Sequence, residues 1–173
     1  GILVDGGTGA IIRDVIADSR EVGVHVIRAT SPTVQNLSTD GAGTGLHLES
    51  ITTAPTLSNL QLTNAHYGLR VRLTTASFTL GAAQIGSLAG SLSAIWLDNV
   101  SNITVTGITL TTNPLHAILA NYTTNTNLTF TDLDVSGLGG GDLVGGYGIL
   151  LQGTGHVLDD ITANDRQYGV HVS

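Results

Sequence analysis

The chain has 173 residues and a formal net charge of −7, with 13 acidic residues against six arginines and no lysine. Proteins that bind nucleic acid need a basic face, so this composition argues against that class of partner. The absence of cysteine excludes disulfides and thiolate metal sites. No apolar run is long enough to span a bilayer as a helix, so no membrane span is predicted.

One short motif recurs along the chain: a small residue, an apolar residue, a variable residue and a second apolar residue. Its copies begin at Gly1, Gly23, Gly45, Gly68, Ala94, Ala117, Gly148 and Gly169. A typical copy is Gly45-Leu46-His47-Leu48, in which Leu46 and Leu48 are predicted to point inward. Most copies lie about 22 residues apart, a period that is typical of solenoids. We therefore predict a single elongated domain over residues 1–173.

The second half of each unit carries one residue suited to a sharp corner. In chain order these residues are Asp14, Asn36, Asn59, Ala82, Gly107, Asp132 and Asp160. Apart from Ala82, these types adopt a left-handed backbone at low cost, so a single residue can turn the chain between two short strands. Each unit then contains three short strands, which is one coil of a parallel β-helix. We predict an all-β solenoid of about seven coils and three parallel sheets, with no evident end caps.

Three copies of the motif follow a tyrosine: Tyr67-Gly68-Leu69-Arg70-Val71, Tyr147-Gly148-Ile149-Leu150-Leu151 and Tyr168-Gly169-Val170-His171-Val172. Together with the Asn or Asp corners, this pattern resembles the right-handed parallel β-helix repeat of the pectin-lyase-like superfamily. The resemblance covers almost the whole chain and implies a right-handed solenoid. That superfamily includes polysaccharide lyases, glycoside hydrolases, uronan epimerases and non-enzymatic surface proteins, so the fold does not choose an activity.

Both ends of the sequence lie inside the same strand motif, without an amphipathic helix or a polar cap. Open β-helix ends expose unpaired strand groups, which natural solenoids cover. We expect the chain to be a segment of a longer one, with further coils or capping segments as partners, or with end-to-end self-stacking. Two units are longer than the others, and we expect their extra residues, 86–93 and 136–147, to form projecting loops.

The outward positions of the first strand carry the candidate ligand-binding residues. They are His47, Arg70, Arg72 and Trp96. Trp96 can stack on a sugar ring while Arg70 and Arg72 hold the carboxylates or sulfates of an acidic glycan. In enzymes of the resembling superfamily, the exterior of this strand forms the polysaccharide cleft. The alternative is an ordinary solvated sheet face with cross-strand ion pairs.

Glu49 and Asp98 are the candidate catalytic residues. They lie two coils apart, about 9.6 Å along the axis, near the upper limit for an inverting pair of carboxylates. Arg72 falls between them and favours the charged form of both, which works against a general acid. A salt ladder of Glu49, Arg72 and Asp98 is therefore the competing interpretation.

His25 and His47 are neighbours in one outward column, and Glu49 lies two residues beyond His47. Two imidazoles and one carboxylate within one coil spacing are candidate ligands of a divalent metal. The sequence predicts no other cofactor. Gly139-Gly140-Gly141-Asp142 is similar to one copy of a calcium-binding glycine-rich nonapeptide, but one imperfect copy cannot build a site that requires tandem repeats, so we expect a loop there and keep calcium only as an alternative.

Two functions remain. The first is a structural or adhesive solenoid segment of a larger secreted or cell-surface protein, with glycan binding as one form of adhesion. The second is a polysaccharide lyase or glycoside hydrolase, or a fragment of one, that acts on an acidic glycan. The motifs of known pectate lyases and polygalacturonases do not appear in order, since Asp160 of Asp159-Asp160 occupies a corner position. We favour the first function.

Overall fold

A computed structural model describes residues 1–82, 84–110, 115–137 and 146–173, without the side chains of residues 86, 87, 89 and 90. This part of the chain is a β-solenoid of about seven turns. Its strands are β1 (Ile2–Asp5), β2 (Ile11–Ile16), β3 (Val22–Ile27), β4 (Thr33–Asp40), β5 (Thr44–Glu49), β6 (Thr56–Arg72), β7 (Phe78–Gly81), β8 (Ile85–Asp98), β9 (Ile103–Thr109), β10 (His116–Ala120), β11 (Thr129–Asp134), β12 (Tyr147–Leu151), β13 (Val157–Thr162) and β14 (Tyr168–Val172).

The strands of successive coils pair in parallel, which confirms the predicted architecture. The first strands form one path, in the order β1-β3-β5-β6-β8-β10-β12-β14, and β2 and β4 join it through β6. A separate sheet has the order β13-β11-β9-β7. Each coil has three strand segments, but in the part of the chain that the structure describes their hydrogen bonds form only two sheets. The reason is that β6 and β8 are long strands that each continue from one side of the coil to the next. The described residues contain no helix of a length and hydropathy that would cross a membrane.

The predicted corners have a left-handed backbone. The φ angles are 55° at Asp14, 51° at Asn36, 49° at Asn59, 62° at Gly107, 52° at Asp132 and 51° at Asp160, whereas Ala82 is not among the positive-φ residues. The corner side chains also bond along the axis. Nδ2 of Asn59 donates to Oδ1 of Asn36 at 3.0 Å, and Nδ2 of Asn36 donates to Oδ1 of Asp14 at 2.7 Å.

The core is the stack of inward residues that the motif predicts. Leu46 and Leu48 are fully buried, as are their counterparts on neighbouring coils. The small residue that opens the motif permits this packing. A Cβ atom on Gly45 would lie 2.7 Å from the carbonyl oxygen of Gly68 and 2.8 Å from Oγ1 of Thr39. A larger residue there would force neighbouring backbone apart.

The first of the two longer units does not contain the loop that its length predicts. Residues 86–93 do not form a loop but belong to β8, whose pairing with β6 shows three register shifts between Leu60 and Tyr67. The net gain across these shifts is one residue, because Leu60 pairs with Ile85 and Tyr67 pairs with Ser93, and each bulge disrupts the ladder only locally. Of the second expected loop, residues 138–145 lie outside the described part of the chain, and so does the run from Gly139 to Asp142.

Candidate functional site

Strand register places the candidate residues in two adjacent columns on the first-strand face. One column pairs His25, His47, Arg70 and Trp96 in that order, and the other pairs Glu49, Arg72 and Asp98. We call these seven residues the polar row. The order of both columns is the one expected from the repeat, because parallel pairing keeps equivalent positions of successive coils in line.

Arg72 links the two candidate catalytic carboxylates. Its Nη1 atom lies 3.5 Å from Oε1 of Glu49, and its Nε atom lies 3.1 Å from Oδ2 of Asp98. Asp98 is almost fully buried, and its Oδ2 atom also lies 3.5 Å from Nη2 of Arg70. Glu49 and Asp98 therefore belong to one chain of ion pairs that spans three coils.

Trp96 packs against aromatic and cationic neighbours on β6. The Cζ atom of Arg70 lies 3.9 Å from the centroid of the indole, and the ring of Tyr67 lies 4.6 Å from it at a tilt of 31°. One face of the indole is thus covered by Arg70, so a sugar ring must use the other face or the exposed edge. The sequence identifies Tyr67 as part of the repeat motif but not as a candidate binding residue.

His25 and His47 stack with centroids 4.3 Å apart and planes 3° from parallel. Nε2 of His25 lies within hydrogen-bond distance of Oε2 of Glu49, at 3.1 Å, and Nε2 of His47 lies 3.8 Å from the same oxygen. Burial lowers the pKa of His47 to about 4, and repulsion from His25 and Arg70 contributes further. His47 is consequently a neutral, buried imidazole, and its outward column position does not expose it to a large ligand.

The charged side chains of the polar row are paired with one another in ion pairs. Both candidate carboxylates face the guanidinium of Arg72, Glu49 at 3.5 Å and Asp98 at 3.1 Å. Arg72 also occupies the space between Glu49 and Asp98 that an inverting mechanism reserves for substrate and water. The row can donate and accept hydrogen bonds at its exposed edge, but it does not present an acid and a base across an open gap.

A second aromatic group lies further along the same face. The ring of Tyr147 lies 5.4 Å from His116, 4.8 Å from Tyr168 and 5.7 Å from His171. Sequence reasoning did not single out this cluster. Its signal is the tyrosine that precedes two consecutive copies of the motif.

On the second-strand side, a hollow of about 150 Å³ is lined by Asp132, Asp134 and Asp160, among others. Two of these carboxylates belong to corner residues with positive φ. Their presence follows from the backbone requirement of the corner, which Asp meets at low cost. The hollow therefore needs no catalytic explanation.

Comparisons with known proteins agree with this architecture. A family model described as a right handed beta helix region matches residues 1–173. No curated protein and no solved structure matches the chain significantly.

Proposed function

The chain belongs to the family of right-handed β-helix regions, and from this premise we propose that it is an adhesive solenoid segment of a larger secreted or cell-surface protein. Its ligand, in this proposal, is an uncharged polysaccharide that it binds without cleaving. The resemblance to pectin-lyase-like surface proteins supports this setting.

The observation that carries the proposal is the pairing of Arg72 with both Glu49 and Asp98. It supports binding over the lyase or hydrolase alternative, because each candidate catalytic carboxylate is held by a guanidinium. A buried carboxylate in an ion pair contributes to structure, and its partner fixes its orientation. The first-strand face is accordingly rigid, which lowers the entropy cost of holding a ligand.

Charge balance favours an uncharged ligand. The two arginines of the polar row offset Glu49 and Asp98, and the whole chain is acidic. An acidic glycan would have to compete with Glu49 and the buried Asp98 for the guanidinium groups. Sugar hydroxyl oxygens can instead accept hydrogen bonds from Arg72, whose side chain is 42% exposed. The partly exposed indole of Trp96 offers apolar contact beside it.

Apolar exposure at both end coils supports the proposal that further structure covers them. At one end the exposed residues include Ile2, Leu3, Ile11 and Ile16, and at the other Val157, Tyr168, Val170 and Val172. Apolar surface of this kind is typical of interaction sites. Further β-helix coils, a capping segment or a second copy stacked end to end would bury it.

The single tryptophan permits a direct binding test. We would titrate the protein with a panel of uncharged and acidic polysaccharides and follow the fluorescence of Trp96. We expect a saturable change with an uncharged polysaccharide, weakened by Arg72→Gln, and little response to acidic ones.

Arg13→Gln is the matched control, because Arg13 is an exposed arginine on β2 and lies outside the polar row. Calorimetry provides a second measure of affinity that does not depend on the fluorophore. Absence of binding to every polysaccharide, or equal weakening by Arg13→Gln, would overturn the proposal.

A further inference from the structure

His47 holds a buried polar atom that the ion-pair network does not satisfy. Its side chain is 8% exposed, and its Nε2 atom has no hydrogen-bond partner among the described residues. A buried donor or acceptor without a partner costs free energy and calls for an explanation, such as an unobserved ion.

The surroundings of this nitrogen supply further metal-ligating atoms. Nε2 of His47 lies 3.8 Å from Oε2 of Glu49, and Nε2 of His25 lies 3.1 Å from the same oxygen. One ligand atom from each of the three residues lies within 4.8 Å of the other two. His25 and His47 are register partners on β3 and β5, so the backbone of two coils holds the group together.

We propose that His25, His47 and Glu49 form a binding site for a divalent transition metal such as Zn²⁺. Two imidazole nitrogens and one carboxylate oxygen are a common ligand set for this ion, with water in the fourth position. Ca²⁺ and Mg²⁺ prefer all-oxygen sets, so the donor chemistry does not suit them.

Metal binding requires small movements of the side chains. Bonds of about 2.0–2.2 Å to a tetrahedral ion place the ligand atoms about 3.3 Å from one another. The two stacked imidazoles must therefore tilt toward a common point, and His25 must exchange its contact with Glu49 for the metal. The movement required is short, because one ligand atom of each residue already lies within 4.8 Å of the other two.

Arg72 affects both the geometry and the affinity of this site. It contacts Oε1 of Glu49 and leaves Oε2 toward the histidines, so it orients the carboxylate as an outer partner of a metal ligand does. Its charge, with that of nearby Arg70, opposes a cation. The site is therefore expected to be of moderate affinity.

Calorimetric titration of the untagged, chelator-treated protein with Zn²⁺ alone tests this inference. We expect one ion per chain. His47→Gln and His25→Gln should each raise the Kd for Zn²⁺ by about tenfold or more. His171→Gln is the matched control, because His171 lies exposed in the same column on β14. We expect it to leave the Kd unchanged.

NMR of the wild-type protein keeps the inference testable if a variant fails to fold. During the Zn²⁺ titration the ring signals of His25 and His47 should shift together and saturate, whereas those of His171 should not. Absence of saturable uptake, or an equal Kd in folded His47→Gln, would overturn the site. The inference does not depend on polysaccharide binding, since both readouts use the metal alone.

Discussion

Nε of Arg72 lies 3.1 Å from Oδ2 of Asp98, its register partner on the next strand. The carboxylate is nearly buried, while the guanidinium reaches the surface and continues to Glu49. A single arginine thereby ties three coils together on the first-strand face.

Removal of this guanidinium should destabilise the solenoid. Arg72→Ala leaves Asp98 buried with only the longer contact to Arg70. We expect a loss of about 2 kcal/mol in the free energy of unfolding, less than for a fully buried pair because Arg72 is partly exposed. Urea unfolding followed by circular dichroism measures this loss. Arg13→Ala should cost less than about 0.5 kcal/mol, and equal losses in the two variants would show that the ion pairs contribute nothing.

The corner at Asn59 should depend on both its backbone and its side chain. Asn59→Ala places alanine, which lacks the polar side chain of Asn, at a φ of 49°. It also removes the side-chain hydrogen bond to Asn36. We expect a loss of about 2 kcal/mol, since the left-handed backbone and the hydrogen bond each contribute about 1 kcal/mol. Asn59→Gly relieves the backbone cost and should lose less. If Asn59→Gly unfolds at a lower temperature than Asn59→Ala, the left-handed backbone at residue 59 does not limit stability.

Core stacking should dominate the stability of each coil. Leu48 is fully buried, so Leu48→Ala should lower the free energy of unfolding by about 3 kcal/mol. Leu3 is the matched control, because it lies in the same kind of strand but is 65% exposed. Leu3→Ala should have an effect below about 0.5 kcal/mol. Similar unfolding midpoints for the two variants would contradict the inward assignment.

Stability should fall in mild acid partly through His156. Burial lowers its pKa below the usual value near 6.5, and its Nδ1 atom accepts a hydrogen bond from the backbone N–H of Leu128 at 3.1 Å. As the pH falls below about 6.5, the unfolded chain takes up a proton that the folded chain resists, so stability decreases. Above that pH the effect is absent.

Urea midpoints measured at several pH values test this dependence. His156→Gln should reduce the decline without abolishing it, because burial, followed by repulsion from Arg166, also lowers the pKa of His116. His171→Gln controls for the loss of an exposed imidazole and should keep the slope of the wild type. A slope unaltered by His156→Gln would exclude this histidine as a source of acid sensitivity.

The sequence was sufficient to predict the architecture and the order of the polar row. Small motif residues, inward leucines and corner residues such as Asn59 each impose a local requirement that recurs in every coil. Parallel pairing then fixes which side chains become neighbours, so the sequence of His25, His47, Arg70 and Trp96 along one column follows from repeat alignment alone.

The burial and the contacts of individual side chains on the first-strand face could not be predicted from the repeat. His47 stands at an outward position, yet neighbouring side chains cover it, and their conformations are not encoded by the repeat. Tyr67 contacts Trp96 although its register partner on β8 is Ser93, so this contact is diagonal and depends on side-chain conformation. Residues 86–93 carry the length signal of a loop, yet they belong to β8 and pair with β6 through three register shifts, which the repeat does not encode.

The most direct test of the account is product analysis after prolonged incubation of the wild-type protein with each polysaccharide that the Trp96 fluorescence titration identifies as a ligand. Size-exclusion chromatography and a reducing-end assay would follow chain length, and absorbance would detect unsaturated lyase products. The account predicts that the bound polysaccharide keeps its full length. Depolymerisation that is abolished by Glu49→Gln or Asp98→Asn in folded variants would contradict it, and would identify the polar row as catalytic.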